Sequence, residues 1–284
     1  MKIYDNLTIF FVSYYSKKSI SQIIKKINPK IKILIVDNAN EKGLKKYFNH
    51  KFKNVKIISS KFNGGQTGGI NIGLKNIKTK YCIYMDSDID FENSIIKTFY
   101  KIANRIKDFI ILAPQHEKSK YPEEFFSKKK NIFRNFYLMK IVHGHFLFFN
   151  MDNVKKNGLY DEKIFLYFDE TDYCLRAYKK GLKIYLIPDI KVNHQGGNSV
   201  YLKNKLEIEA NKHWHLAWSN FYYHKKNYGY LTAIDKTYHI FLKSIFKFFI
   251  YSLFNKRKRV IYFNQCFGLL CSYLGLKSFR RVKL

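Results

Sequence analysis

Asp86-Ser87-Asp88 places two carboxylates one residue apart directly after the apolar run Tyr81-Cys82-Ile83-Tyr84-Met85. Two such groups at a strand end can share a hard divalent cation, Mg²⁺ or Mn²⁺, which then also takes oxygen ligands from phosphates. A second gathering, Asp169-Glu170-Thr171-Asp172, follows the aromatic run Phe165-Leu166-Tyr167-Phe168. Only 21 acidic residues occur in 284, so three in four positions beside apolar aromatics mark a site rather than a solvated face. A carboxylate against apolar neighbours has its pKa raised toward the range of a general base. The plainer alternative is helix-start chemistry, because acidic residues favour the positive end of a helix dipole.

Other chemistries of Asp-x-Asp fit less well. A calcium loop needs Gly at its sixth position and Glu at its twelfth, where Phe91 and Lys97 stand. Phosphatases of the haloacid dehalogenase type carry Thr or Val two residues on, where this chain has Asp90. Asp90 itself is expected to cap the helix that follows.

Four further places accompany the acids. Asp37-Asn38 end an apolar run and either read a nucleotide base or open a turn. Ser13-Tyr14-Tyr15 end the first apolar run. The stretch from Asn63-Gly64-Gly65 to Asn71-Ile72-Gly73 is the most glycine-dense in the chain. It matches neither a Walker A loop nor a dinucleotide fingerprint, and its glycines let a loop and helix approach a backbone or nucleotide closely. His194 beside Gly196 and Gly197 is either a metal ligand or phosphate contact, or a structural histidine.

The elements that position these groups follow from periodicity. Strand-length apolar runs at residues 7–12, 31–36, 55–59 and 81–85 alternate with helical spacing such as Ile20, Ile23, Ile24 and Ile27. A β-α-β-α-β-α-β order predicts an α/β fold with a mostly parallel, Rossmann-like sheet flanked by helices, binding at the carboxyl ends of its strands. A helix is expected over 95–106, strands over 109–113 and 140–149, a polar loop over 114–130, and a helix from Asp169 to a C′ residue at Gly181. A strand over 183–187 leads to His194, and from about residue 202 the chain turns helical.

Lys and Arg number 52 against 21 acids, a net charge of +31 that favours polyanions. Only seven of the basic residues are Arg, and the wealth of Lys, Asn, Ile, Phe and Tyr is also what an AT-rich genome produces. Cys82, Cys174, Cys266 and Cys271 form no C-x-x-C pair and fit a reduced, cytoplasmic protein; no secretory signal is recognised at the N-terminus. Beyond residue 225 come apolar runs over 238–254 and 260–276, separated by Asn255-Lys256-Arg257-Lys258-Arg259, and the first, with Lys243 and Lys247 one turn apart, is too short and charged to span a bilayer. They suit an amphipathic, basic extension (226–284) lying on an anionic membrane surface.

In their order and spacing, Val12-Ser13-Tyr14-Tyr15, Val36-Asp37-Asn38, Asn63-Gly64-Gly65 through Gly73, Asp86-Ser87-Asp88, Gly158-Leu159-Tyr160-Asp161-Glu162, Asp169 to Asp172 with Arg176, and His194 resemble the family 2 glycosyltransferases of the GT-A fold, particularly bacterial rhamnosyltransferase-like members that build surface polysaccharides. The resemblance spans residues 5–225 and implies a GT-A domain over 1–225. It implies an inverting hexosyltransferase using a nucleotide-diphosphate sugar and a lipid-linked or oligosaccharide acceptor, peripheral on the inner face of the plasma membrane. Donor contacts fall on Ser13, Tyr14, Tyr15, Asp37, Asn38, Asn63, Gly64, Gly65, Asn71 and Asp86. Asp86 and Asp88 hold Mg²⁺ or Mn²⁺, with His194 as a further ligand. The second cluster, with Asp172, supplies the base. Family members carry Glu-Asp-x-Asp, whereas here the first two acids are exchanged, so Glu170 and Asp169 both remain candidates. The rival reading, a nucleic-acid-binding protein argued from charge and from Trp214, Trp218 and Tyr222, leaves both acidic clusters without a role.

Overall fold

The computed structural model describes residues 3–117, 120–127, 136–194 and 204–282. The chain forms two compact units, one of Met1–Tyr160 with Glu170–Tyr201 and one of Asp161–Asp169 with Leu202–Leu284.

In chain order the first unit contains α1 (Ile3–Asn6), β1 (Leu7–Ser13), α2 (Lys17–Lys26), β2 (Lys32–Asp37), α3 (Leu44–Lys51), β3 (Val55–Ser59), α4 (Gly65–Asn76), β4 (Tyr81–Met85), β5 (Ile89–Asp90), α5 (Ser94–Ile106), β6 (Ile111–His116), a 3₁₀ turn (Glu123–Phe125), β7 (Tyr137–Met139), β8 (Phe146–Asn150), α6 (Met151–Asn157), α7 (Asp169–Lys179, entered from the second unit at its first residue) and β9 (Ile184–His194). The strands run in the order β3-β2-β1-β4-β8-β6-β9-β5, with β7 also paired to β9. From β3 to β4 all pairings are parallel. β8 then enters antiparallel to both β4 and β6, so the sheet is parallel in its first half and mixed in its second.

The strands are apolar on both faces because both faces are covered. β4 and β8 are buried at every position, and β1 at all but Val12. On one face lie Phe11, Ile20, Ile24, Phe99 and Phe148; on the other Phe10, Ile70, Leu74, Cys82 and Tyr173. Helix α4 owes its closeness to two glycines one turn apart. A Cβ on Gly69 would stand 2.4 Å from Val12, and one on Gly73 2.5 Å from the Phe10 ring. Gly73→Ala would overpack this contact at a cost of roughly 1–3 kcal/mol. The glycines thus bring α4 down onto the side chains of β1, and Gly65, with φ 74°, makes the turn into it.

Several local expectations change. Asp90 is not a helix cap: it lies in β5 and pairs with Lys26 at 2.7 Å, while α5 begins after Asn93. Two residues of β5 paired with β9 leave no room for a helix start at Asp90. β6 runs on through His116 into the stretch expected to be loop, and of the run 140–149 only residues 146–149 are strand, within β8, which continues to Asn150. The preceding residues turn at Gly144-His145. Gly181, with φ 74°, does end α7. The glycines after His194 lie outside the described residues.

The second unit is three helices, α8 (Lys205–Tyr228), α9 (Tyr230–Phe254) and α10 (Lys256–Tyr273), together with the segment Asp161–Asp169. Residue 225, after which the extension was expected to start, lies inside α8. Gly229, at φ 92°, separates α8 from α9; Asn255 caps α10 by accepting from the Lys258 amide at 2.9 Å. Ala217 and Phe221 of α8, Ala233 of α9 and Leu269 of α10 form the shared core. No described helix is long and apolar enough to cross a membrane. The outer face of α9 is nonetheless apolar: Leu242, Phe246, Phe249 and Leu253 are 59–83% exposed, on the side opposite buried Ala233, Thr237 and Ser244.

Candidate active site

Parallel pairing sets the ends of the first strands level, with Ser13 opposite Asp37 and Asp37 opposite Ser59. The expected donor residues that follow these strand ends gather at one edge, with Asn71 the exception, and they differ in what occupies their polar atoms. Asp37 is buried, and its carboxylate accepts from the amides of Ala39 (3.2 Å) and Glu41 (3.0 Å), which shapes its own loop. Asn38 donates to Asn63 Oδ1 (3.1 Å) and to the Gly65 carbonyl (2.7 Å), tying the end of β2 to the start of α4. Asn63 Oδ1 also accepts from the Gly65 amide at 3.0 Å, and the Gly64 amide reaches Asn38 Oδ1 at 3.4 Å. Ser13 is buried with its hydroxyl 3.2 Å from that of Ser16. Tyr14 and Tyr15 meet edge to face at 5.1 Å, with Tyr15 at φ 53°. Burial and the neighbouring Tyr15 raise the Tyr14 phenol pKa against the opposing Asn63 hydrogen bond.

Asn71 is placed differently. It is 1% exposed in the middle of α4, donates to the Tyr160 carbonyl at 3.0 Å and accepts from the Tyr160 amide at 2.9 Å. Arg176 donates to the carbonyls of Asn157 (3.0 Å) and Leu159 (2.6 Å), and the Tyr160 and Tyr173 rings stack at 4.1 Å. Asn71 and Arg176 thus clamp the Gly158-Leu159-Tyr160 turn, where Gly158 takes φ 84°.

The Asp-x-Asp carboxylates meet imidazoles. β5 pairs with β9 so that Ile89 stands opposite His194, which brings that histidine back beside Asp88. His194 Nε2 lies 3.0 Å from Asp88 Oδ1 and 3.6 Å from Asp86 Oδ2. Asp86 Oδ2 also lies 3.3 Å from His145 Nδ1, while its Oδ1 accepts from the Tyr84 hydroxyl at 2.7 Å, which in turn accepts from Gln66 at 3.1 Å. The His145 and His194 rings stack at 3.9 Å. The turn carrying His145 is fixed by its carbonyl, which accepts from the Asp86 amide at 2.9 Å. His116 Nε2 accepts from the His194 amide at 3.2 Å. Asp86, Asp88 and His194 are thus assembled, and His145, with His116 and His143 behind it, was missed.

Charge balance in this cluster shows in the pKa values. Burial would raise Asp88, but the hydrogen bond and charge of His194 outweigh it and hold the carboxyl below its usual range. Burial would likewise lower His194, but Asp88 and Asp86 hold it above an ordinary imidazole. His143 is pushed down to about 4, first by burial and then by the charges of His145, His116 and His194. Among the described residues Asp86, His145 and His194 each offer one ligand atom within 4.8 Å of the others. Two imidazoles and a carboxylate, with Asp88 beside them, are a donor set that fits a divalent ion.

The second acidic cluster opens α7. Asp169 and Asp172 are 4% and 1% exposed, whereas Glu170 is half-buried. A Cβ on Gly144 would stand 3.2 Å from the Glu170 side chain, so Glu170 lies against the turn that presents His145. Immediately before the cluster, Tyr167 and Phe168 adopt φ of 64° and 61° in succession. Each non-glycine residue in this region costs about 1–3 kcal/mol and persists only where the surroundings dictate it.

The sequence model of "Glycosyl transferase family 2" matches residues 9–165. The low-salt glycan biosynthesis hexosyltransferase Agl10 of Haloferax volcanii is 21% identical over 199 residues, which is 63% of this chain and 64% of that protein. Among solved structures, S. aureus TarS 1–349 in complex with UDP-GlcNAc superposes with a TM-score of 0.54 at 14% identity, covering 97% of this chain and 93% of that one. The mannosyltransferase PcManGT of Pyrobaculum calidifontis, in complex with GDP-Man and Mn²⁺, gives 0.56 at 10% identity over 95% and 87%. At these identities the likeness is one of fold.

Proposed function

The chain belongs to glycosyl transferase family 2, and from that premise we propose that it transfers a hexose from a nucleoside-diphosphate donor to a saccharide hydroxyl with inversion at the anomeric carbon. The observation that carries this reading is the convergence of Asp86, Asp88, His145 and His194 at the end of β4, with Glu170 against the turn that holds His145. The acceptor oxygen bonds to the anomeric carbon as the bond from that carbon to the diphosphate oxygen breaks. The hydroxyl proton passes to a carboxylate, and the nucleoside diphosphate leaves. No covalent sugar-enzyme intermediate is required.

Glu170 is the base in this proposal. It is half-buried beside His145's turn, whereas Asp169 is almost fully enclosed. A divalent ion held by Asp86, Asp88, His145 and His194 would supply positive charge for the departing diphosphate. Imidazole ligands suit transition ions and carboxylates suit Mg²⁺ and Mn²⁺, so the mixed set favours Mn²⁺, the ion bound to PcManGT. Tyr14, Tyr15 and the loops of Asp37 and Asn63 to Gly65 form the edge for the nucleotide. Asn71 supports that edge from within α4.

The test is to incubate the protein with a panel of nucleotide sugars and saccharide acceptors, with Mn²⁺, Mg²⁺ or chelator, and to detect product by mass spectrometry. Transfer with Mn²⁺ that stops in chelator is expected; full activity in chelator would remove the metal from the reading.

The acceptor in this proposal is lipid-linked, met at the cytoplasmic face of an anionic membrane. Its support is the exposed stripe Leu242, Phe246, Phe249 and Leu253 of α9, with Lys243 and the basic residues 256–259 nearby in the chain. Apolar insertion and electrostatic attraction of about 1 kcal/mol per basic residue near the surface act together. The protein should float with anionic vesicles, less so in high salt, and Phe246→Asp with Phe249→Asp should stay in the pellet fraction. Flotation unchanged by this pair would assign the stripe another role.

A further inference from the structure

We propose that the C-terminal strap after α10, residues 275–282, positions the catalytic acidic cluster, and that Arg281 is its principal positioning residue. This inference rests on the transferase reading above.

The segment Asp161–Asp169 belongs to the helical unit and delivers the chain directly into Asp169 and Glu170. It is held along its length. Asp161 accepts from the Tyr222 hydroxyl (3.0 Å) and from Lys226 (2.8 Å). The Leu166 carbonyl accepts from Ser219 at 2.9 Å, and the Phe168 ring meets that of Tyr223 at 5.4 Å. These partners all come from α8.

Phe165 is gripped differently. Its ring stacks on His215 of α8 at 4.5 Å, and the Arg281 guanidinium lies 3.8 Å from its centroid. A cation over an aromatic face is attracted to the ring quadrupole. The strap itself is anchored to α8. His215 Nε2 meets the Arg280 carbonyl at 2.9 Å and its Nδ1 meets the Ser278 hydroxyl at 3.1 Å. Trp218 donates to the Leu276 carbonyl at 3.0 Å, and Arg280 takes both oxygens of Glu207 at 3.0 and 3.1 Å. Arg281 also donates to the Ser278 and Arg280 carbonyls at 2.9 and 2.7 Å, and this bonding of the strap carries the Arg281 guanidinium to the Phe165 ring.

What this grip secures is the pair of left-handed residues two and three positions on. Neither Tyr167 nor Phe168 has the glycine freedom that φ near 60° favours, so the backbone relaxes if its flanks are released. Relaxation there would turn α7's first residues, and a misplacement of about 1 Å at a reacting group costs on the order of 10²-fold. The strap touches neither donor nor metal in this account, so its loss acts on turnover alone.

Arg281→Ala is the direct test, since the residue is exposed and its guanidinium lies over the Phe165 ring. The expected result is a fall of about 10- to 100-fold in kcat per folded molecule, with the donor KM and Mn²⁺-dependent nucleotide binding within twofold of wild type. Arg281→Lys, which keeps the cation over Phe165, should recover much of the loss. Amide exchange followed by mass spectrometry should rise over residues 161–170 in Arg281→Ala and stay unchanged over 81–90. Unchanged kcat, an equal loss of nucleotide binding, or unchanged exchange over 161–170 would overturn the proposal. The exchange measurement needs no substrate. A wild-type protein without transferase activity therefore sinks the functional reading, while the exchange result still decides whether the strap holds the segment.

Discussion

The two acidic clusters solve opposite electrostatic problems. Asp86 and Asp88 stand at the end of a buried strand among histidines, with Asp88 held ionised by His194 and Asp86 reached by His145, His194 and Tyr84. Asp169 and Asp172 are enclosed at the start of a helix, after two residues in a left-handed conformation, and leave Glu170 as the more open group. The first cluster is assembled from β4, β5, β9 and a turn distant in sequence. The second is contiguous and follows directly on the segment Asp161–Asp169. The cluster proposed to hold a metal is built from opposing partners, whereas the one proposed to supply the base is contiguous in the chain.

The sharpest way to break this contrast is at Glu170. Glu170→Gln should lower kcat by on the order of 10²–10⁴ while donor affinity stays near wild type, because the base acts on the acceptor. Asp169→Asn is its control. If that change alone stops turnover, the enclosed carboxylate is the base and the contrast between the clusters narrows.

Next in size is Asp88→Ala, which should lower kcat by about 10²–10³ and abolish the Mn²⁺ dependence of nucleotide binding, with the thermal melt retained. Nucleotide binding that still responds to Mn²⁺ would move the metal away from Asp-x-Asp.

His145→Ala sharpens the picture of the first cluster. Losing one imidazole should weaken Mn²⁺ binding by roughly 10- to 100-fold, read by electron paramagnetic resonance, and affect Mg²⁺ much less. Equal losses for both ions would make His145 a neighbour of the site rather than a ligand.

The smallest effect is expected at Asp161, in the segment leading to the second cluster. Burial alone would raise its pKa, but Lys226, the Lys163 amide and Tyr222 hold it below the usual carboxylate value. A depressed folded-state pKa contributes stability above the unfolded pKa, and that contribution is lost as pH falls through the folded value. Asp161→Asn should therefore cost about 1 kcal/mol at pH 7, discounted for partial exposure, and progressively less in acid. Urea melts of both proteins at pH 7 and pH 3 would measure it; an unchanging difference would show that packing, not charge, holds the segment.

Much of the first unit was legible because its signals are local. Residues 55–59 and 81–85 are continuous apolar runs of strand length, and they form β3 and β4 within those bounds. The spacing of Ile95, Ile96 and Phe99 gives α5 its buried face, and Gly181 ends α7 because a left-handed terminus favours glycine. The Asp-x-Asp could be found for the same reason: both acids lie side by side in the chain.

What the sequence alone determined, then, was what neighbours decide: which runs are strands or helices, where carboxylates follow apolar residues, and the family pattern these make together. Only the tertiary structure decided what strangers in the chain do to one another. His145 carried no signal beyond a Gly-His pair before an apolar run, and its place beside Asp86 follows from β8 joining β4 antiparallel. Asn71 sits in the same glycine-dense stretch as Asn63, yet one amide lines the edge and the other holds Tyr160, since helix α4 turns its side chains to different surroundings. The φ values of Tyr167 and Phe168 contradict local preference altogether. They persist in a segment held by residues far along the chain, Ser219 and Tyr223 beside them and His215 and Arg281 on Phe165, whose contacts outweigh what either residue would adopt by itself.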